Sequence, residues 1–421
     1  MKKIAVIGAG ISGLTVAYYL QDLFDITIFE KNAYLGGHAS TYRVSKGKDA
    51  GLGIDTGFIV FNENRFKNFW ALIQDLKVKI TNSNMSFGYE SIDDHVQYSG
   101  KSANGLFAKR KNIFSFNHYK FLFNVYRYSK KMSIDLKTGV LKGLTLAEYF
   151  KKQKIPFNVI RDYFFPIGAT LWSCSFEQIR QFPAEFYINF FLKYDLLSPQ
   201  ITRPQWFSIL GGSQEYIKKM TDQFRGKIRS GMFIDKIFRE NEKINIVSTK
   251  HSFTEEFDIV VVATHADQAL KLFVQSSKEE REALEAWKYS KNKIVLHSDP
   301  YFMPSNKRGW ASWNARKLYK DDANFSIQTT YFMNLLQKLN TKTNYFITLN
   351  PIEKNKSQNI LFETVYEHPL YNFHSLNSWE KIREINGVNQ TYFCGSYLGY
   401  GFHEDGINSG LEVVNLLKKQ T

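Results

Sequence analysis

The chain has 421 residues, 43% apolar and 23% charged, a composition expected of a soluble globular protein with room for more than one core. Two distant cysteines, Cys174 and Cys394, exclude a disulfide framework and fit a reducing cytoplasm, and no apolar run is long enough to span a membrane. The formal charge of +15 points to an anionic partner; without any nucleic-acid-binding motif, that expectation moves from nucleic acid to a phospholipid surface.

The first twenty residues, MKKIAVIGAGISGLTVAYYL, place two lysines before an apolar run, as a secretory leader does, but no small-residue cleavage site follows. Residues 4–7 predict a buried parallel strand. Gly8, Gly10 and Gly13 follow in G-x-G-x-x-G spacing, then an amphipathic helix, then a second strand, DITIFEK, that reaches Glu30. Each glycine has a mechanical role. Gly8 makes the tight turn, Gly10 lets backbone approach a pyrophosphate, and Gly13 lets the helix pack on the strand. The helix N-terminus offers its free N–H groups to phosphate. Glu30 is positioned to accept hydrogen bonds from ribose hydroxyls and to repel a 2′-phosphate, which argues for a dinucleotide other than NADP.

A second glycine pair, Gly36 and Gly37, comes next in KNAYLGGHAST. This block resembles the second signature of the glutathione-reductase-type FAD fold, in the branch of amine oxidases, protoporphyrinogen oxidase and phytoene desaturases. Many members carry arginine after the glycines; this chain has His38. The resemblance implies non-covalent FAD held here by Gly8, Gly10, Ser12, Gly13, Glu30, Lys31, Gly36, Gly37 and His38. In GLGIDTGFIVFN it sets Asp55 and Gly57 beside the flavin, with a plain β-turn as the alternative.

Residues 109–131, KRKNIFSFNHYKFLFNVYRYSKK, hold seven Lys/Arg, no acid, and an aromatic at nearly every turn. Two readings are open: a helix lying at a membrane interface, or a buried helix with basic flanks. Further on, WFSILGGSQEYIKKM predicts a helix opened by a glycine pair, and residues 259–264 a buried strand. The resemblance brings Met232 to the adenine side and Ala263–Thr264 past the cofactor. The last strand, YFCGS, sets Gly395 and Ser396 near the ribityl and phosphate region. The following helix begins with Gly406, Asn408, Ser409 and Gly410, small residues that let helix-end N–H groups face the flavin, and Gly406, Ile407 and Ser409 are the expected cofactor contacts. No metal site is expected, because His403, Glu404 and Asp405 are adjacent and cannot all point inward; His403 is the candidate general base.

YLGGHA, FFPIGATLWSCS, RPQWFSILGGSQEYI, VVATHADQALKL and GYGFHEDGINSG occur in order along nearly the whole chain. Together they resemble the N-terminal flavoprotein region of plant-type cyclopropane-fatty-acid synthases and its stand-alone bacterial relatives, which implies a lipid context without naming a reaction. Trp172, Arg203, Trp206 and Trp313 are candidates to line an aromatic substrate cavity, with Arg203 steering a carboxylate or lipid phosphate or else making a structural ion pair. Both cysteines are expected as buried thiols.

The expected architecture is α/β with α+β inserts: a discontinuous FAD-binding domain of residues 1–85, 205–270 and 376–421, and a substrate domain of 86–204 and 271–375. Three functions are open. The first is an FAD-dependent oxidoreductase that abstracts hydride from, and so desaturates, a lipid or fatty-acyl substrate. The second is an amine oxidase of the same fold. The third is a non-catalytic flavin-binding partner of a fatty-acyl methyltransferase. The expected location is the cytoplasm, with peripheral contact at the inner membrane face.

Overall fold

In the computed structural model every residue is described except 93, 95, 198–203, 320–324, 353–358 and 421. A five-stranded parallel sheet is built from β1 (Lys3–Ile7), β2 (Asp25–Glu30), β3 (Lys227–Ser230), β4 (Ile259–Val262) and β5 (Thr391–Phe393) in the order β5-β4-β1-β2-β3. Ile4 of β1 registers with Ile26 on one side and Ile259 on the other. The central strands are apolar and buried, because helices and a further sheet exclude water from both faces.

The helices used below are α1 (Ile11–Leu20), α2 (Lys67–Asp75), α3 (Phe116–Lys137), α4 (Phe165–Trp172), α5 (Gln214–Asp222) and α6 (His403–Lys418). α6 packs along α1. That contact needs small residues: a Cβ on Gly406 would lie 2.8 Å from Ile11 Cγ2, and one on Gly410 would lie 2.8 Å from the Ser12 carbonyl oxygen.

A seven-stranded sheet runs in the order Ile360–Leu370, Lys288–His297, Phe346–Leu349, Phe325–Phe332, Trp313–Tyr319, Phe87–Ser91, Val96–Ser99. Its first two strands pair antiparallel with Asn292 opposite Tyr366 and Ser290 opposite His368. α4 packs against this sheet. A three-stranded antiparallel sheet covers residues 236–257, and Thr41–Arg43 with Gly53–Asp55 form a hairpin. Among the described residues, no helix is long and apolar enough to cross a membrane.

Candidate functional site: a dinucleotide cradle beside a polar cleft

The cradle begins where β1 gives way to α1. Gly8 sits at φ +104°, and a Cβ there would meet the Ala263 carbonyl oxygen at 2.8 Å, so turn and packing both demand glycine. Gly13 is tighter: its Cβ would lie 2.1 Å from the Gly8 carbonyl oxygen. Gly10 differs from both. It has an ordinary extended backbone and nothing within 4 Å of a built Cβ. No side chain caps α1 and no acid sits in its first turn, so its leading N–H groups point at this open space without a protein acceptor.

The second glycine pair closes on the first. Gly36 donates its N–H to the Ala9 carbonyl at 2.8 Å, and a Cβ on Gly37 would lie 3.3 Å from Gly10 Cα. Glu30 is buried at the end of β2, where Oε2 accepts from the Ala9 N–H at 2.9 Å and Oε1 from the Asn32 N–H at 2.9 Å. This leaves acceptor capacity on a fixed carboxylate for a hydroxyl partner. Met232 is held beside it, donating its N–H to the Glu30 carbonyl at 2.9 Å, while Lys31 is exposed. On the other flank the Ala263 N–H reaches the Ile7 carbonyl at 2.8 Å, and Thr264 follows against Gly8. Gly395 donates its N–H to Ser409 Oγ at 3.0 Å, which ties the turn at Gly395 and Ser396 to α6. Ser12 and Ile407 are buried between the two helices. An uncapped helix start, a gap left by a missing side chain and a fixed carboxylate are what a pyrophosphate and a ribose require, so these residues fit a dinucleotide.

Beyond Gly37 the chain turns along His38. The Phe58 N–H reaches the His38 carbonyl at 2.8 Å, and Gly57 packs so closely that a Cβ would lie 2.2 Å from that oxygen. The His38 ring lies 4.7 Å from Tyr366, 5.4 Å from His368 and 6.4 Å from His265, centre to centre. His38 Nε2 is buried without a hydrogen-bond partner. Burial lowers the proton affinity of all three imidazoles, and the other two histidines lower that of His38 further. His265 stacks on Tyr289 at 4.4 Å, and its Nδ1 lies 3.5 Å from Glu367. His368 Nδ1 lies 3.0 Å from Asn292 Nδ2.

Asn292 links this cluster to a cleft of about 850 Å³ between α4 and the seven-stranded sheet. The cleft is lined by Ala169, Cys174, Ser290, Asn292, Thr329 and Leu349 among others. Sequence reasoning passed over His265, His368, Tyr366 and Asn292. One signal was available: Tyr366 and His368 are two apart on a strand and share a face.

The structure places the remaining sequence candidates as follows. Trp172 is buried among Phe182, Phe186, Tyr187 and Phe190, with its Nε1–H donated to the Tyr400 carbonyl at 3.1 Å. Trp206 is buried against Phe66, and Trp313 packs on Tyr331. None of these tryptophans lines the cleft. Arg203 lies outside the described residues. Gly406 does not offer a free N–H: it donates to the Phe402 carbonyl at 3.1 Å, because α6 starts three residues earlier, at His403. Cys394 is a buried thiol pushed up to about 12, whereas Cys174 is only half-buried and borders the cleft.

The residues of GFHEDGINSG diverge as successive helical positions must. His403 stacks face to face on Phe58 at 3.8 Å and shares a 2.6 Å hydrogen bond with Tyr216 through Nε2; burial pushes its pKa down to about 3. Glu404 points away and accepts the Asn68 and Phe69 N–H groups at 2.8 and 2.9 Å, capping α2. Asp405 turns back to accept the Phe402 N–H at 3.0 Å. Among the described residues, no group of His, Cys, Asp and Glu is arranged to hold a metal ion. Asp55 is likewise a structural anchor: its Oδ1 accepts from Thr41 and from both the N–H and hydroxyl of Ser213, and Oδ2 accepts from Gln337.

Residues 11–334 match the family model of flavin-containing amine oxidoreductases. No curated protein matches the chain. Solved structures share the fold across almost their whole length. The conjugated-linoleic-acid-producing fatty acid isomerase from P. acnes aligns at a TM-score of 0.71 with 14% identity, covering 99% of this chain and 98% of that one. Cyclohexylamine oxidase from Brevibacterium oxydans IH-35A gives 0.71 and 14%, covering 100% and 99%. Putrescine oxidase bound to putrescine gives 0.73 and 11%, covering 99% of each chain.

Proposed function

Because the chain belongs to the flavin-containing amine oxidoreductase family and is an FAD-dependent oxidoreductase, we propose that it removes a hydride and a proton from the acyl chain of a lipid-like substrate and leaves a carbon–carbon double bond. The observation that carries this reading is the character of the cleft. Its described lining is neutral polar and apolar apart from Lys291 and Glu177, and the Glu177 side chain is 73% exposed beside Arg180. A substrate ammonium ion brought out of water needs a buried anion or a free aromatic face. The lining carries no buried anion among the described residues, and its two rings are already engaged, Tyr289 stacked on His265 at 4.4 Å and Phe176 edge to face with Phe165 at 4.7 Å.

Bound FAD supplies the two-electron acceptor, to be reoxidised by dioxygen or another electron acceptor. In this reading the glycines of both signatures, with Ser12, Glu30, Met232, Ala263, Thr264 and Gly395, hold it, and the cleft beyond Asn292 takes the substrate. The proton passes to water in the open cleft, because no described imidazole presents a free lone pair there: His368 Nδ1 accepts from the Asn292 amide, and His403 is enclosed by Phe58, Phe69 and Tyr216. The family itself favours a second reading, an amine substrate.

The purified yellow protein, kept anaerobic, distinguishes the two. Bleaching of the flavin band by fatty acids or bacterial phospholipids, with loss of two hydrogens from the lipid by mass spectrometry, supports the proposal. Bleaching by amines alone replaces it with the second reading. A spectrum that no substrate changes, alongside a double bond that moves or a methyltransferase that co-purifies, replaces it with isomerisation or a non-catalytic partner role.

A further inference from the structure

We propose that the chain docks on an anionic phospholipid bilayer through the outer face of α3 and the 3₁₀ turn Arg110–Phe114 that precedes it. α3 has two faces. His118, Phe121, Tyr128, Met132 and Asp135 point inward and are buried. The outer face carries Phe116, 79% exposed, and Phe123, 61% exposed, together with Tyr119, Tyr126 and Ile134. Phe114, 91% exposed, extends the row, and Phe157 stands exposed on a short helix packed against α3. Isolated apolar side chains are ordinary on a surface; a continuous row of this kind marks a contact.

Charge decides what makes that contact. Lys120, Arg127 and Lys130 alternate with the exposed rings, and residues 109–131 contain seven Lys/Arg and no acid. The one acid of α3, Asp135, is turned inward, where it accepts from the Tyr149 hydroxyl at 2.8 Å and from Lys131 at 3.1 Å. A second copy of this face would bring like charges together. A bilayer surface satisfies both components: rings settle at the acyl–headgroup boundary while long basic side chains reach lipid phosphates. At 22 residues α3 spans roughly 33 Å and lies in the plane of the surface, being too polar to cross. The inference is independent of the substrate reading.

Flotation of the FAD-loaded protein with vesicles tests it. Vesicles of phosphatidylcholine mixed with phosphatidylglycerol are expected to carry the protein, phosphatidylcholine alone far less, and high salt to weaken binding. The Phe114→Ser/Phe116→Ser/Phe123→Ser variant is expected to lose binding by about tenfold or more while keeping its flavin spectrum and thermal midpoint, because all three side chains are exposed. Lys120→Glu/Arg127→Glu is expected to lose it comparably. The proposal is overturned if the wild type ignores the mixed vesicles or if the triple phenylalanine variant binds them equally well.

Discussion

At the scale of single residues, the glycines of one fingerprint separate into two kinds, and the difference is testable. Gly13 is pressed against backbone, with its missing Cβ only 2.1 Å from the Gly8 carbonyl oxygen. Gly13→Ala therefore forces α1 away from β1, at a cost of about 3 kcal/mol. Gly10 has open space and an ordinary φ of −72°, so Gly10→Val leaves the empty fold nearly as stable as before. The added side chain occupies the space offered to the pyrophosphate, and FAD retention is expected to fall by more than about a hundredfold, near 3 kcal/mol. Urea unfolding of the cofactor-free proteins and flavin absorbance of the purified proteins read the two effects separately. A Gly10→Val protein that stays fully yellow removes the pyrophosphate from that place. Glu30→Arg makes the complementary test at the ribose: it places a cation where Glu30 now accepts two backbone N–H groups, and a colourless protein is the expected result.

At the scale of elements, the unusual feature is a helix capped from far away in sequence. α2 has Phe66 at its N-cap position, which offers no side-chain acceptor, and takes its cap from Glu404 on α6 instead. Removing that carboxylate strands the buried Phe69 N–H and the half-buried Asn68 N–H at the positive end of the helix dipole. Glu404→Ala is expected to cost about 1–3 kcal/mol and Glu404→Gln, which keeps one acceptor oxygen, less than half of that. Equal urea midpoints for Glu404→Ala and wild type would deny the cap any energetic role. The start of α6 was hard to locate in the sequence because Gly406 and Gly410 look like a helix opening, whereas they exist for contact with Ile11, Ser12 and Thr15 on α1. For α3 the aromatic content alone left two readings, and the structure divides the rings between an inward and an outward face.

At the scale of the whole molecule, the dinucleotide fold was legible because its parts are local: an apolar run, three glycines at fixed spacing, and an acid at the next strand end lie within thirty residues. The histidine cluster was not, because residues 38, 265 and 368 meet only through the pairing of distant strands. The surroundings of the tryptophans were illegible for a related reason, since a large ring next to polar residues in sequence can be buried by helices the sequence does not place beside it. The same tertiary burial sets the protein's response to acid. His38, His118, His265, His297, His368 and His403 all have folded-state pKa values lowered by burial, His297 and His368 to about 4 and His403 to about 3. The unfolded chain protonates these groups near their ordinary value of 6.5, so it binds more protons than the native state as pH falls below that point. Stability that is complete above that range is therefore lost towards pH 4. Buried carboxylates oppose the trend: Asp55 and Asp405 are raised to about 6 and Glu404 is also raised, so the native state takes up protons there first, which adds stability below that range. Six lowered imidazoles set against three raised carboxylates leave a net uptake of protons on unfolding near pH 5, so stability falls with pH there. Urea titrations of the FAD-free protein at constant ionic strength should show the midpoint falling steeply from pH 7 to pH 5, with His368→Gln shallower by about one proton. A midpoint constant over that range, or identical slopes for the two proteins, would mean that these imidazoles are not held neutral by the fold.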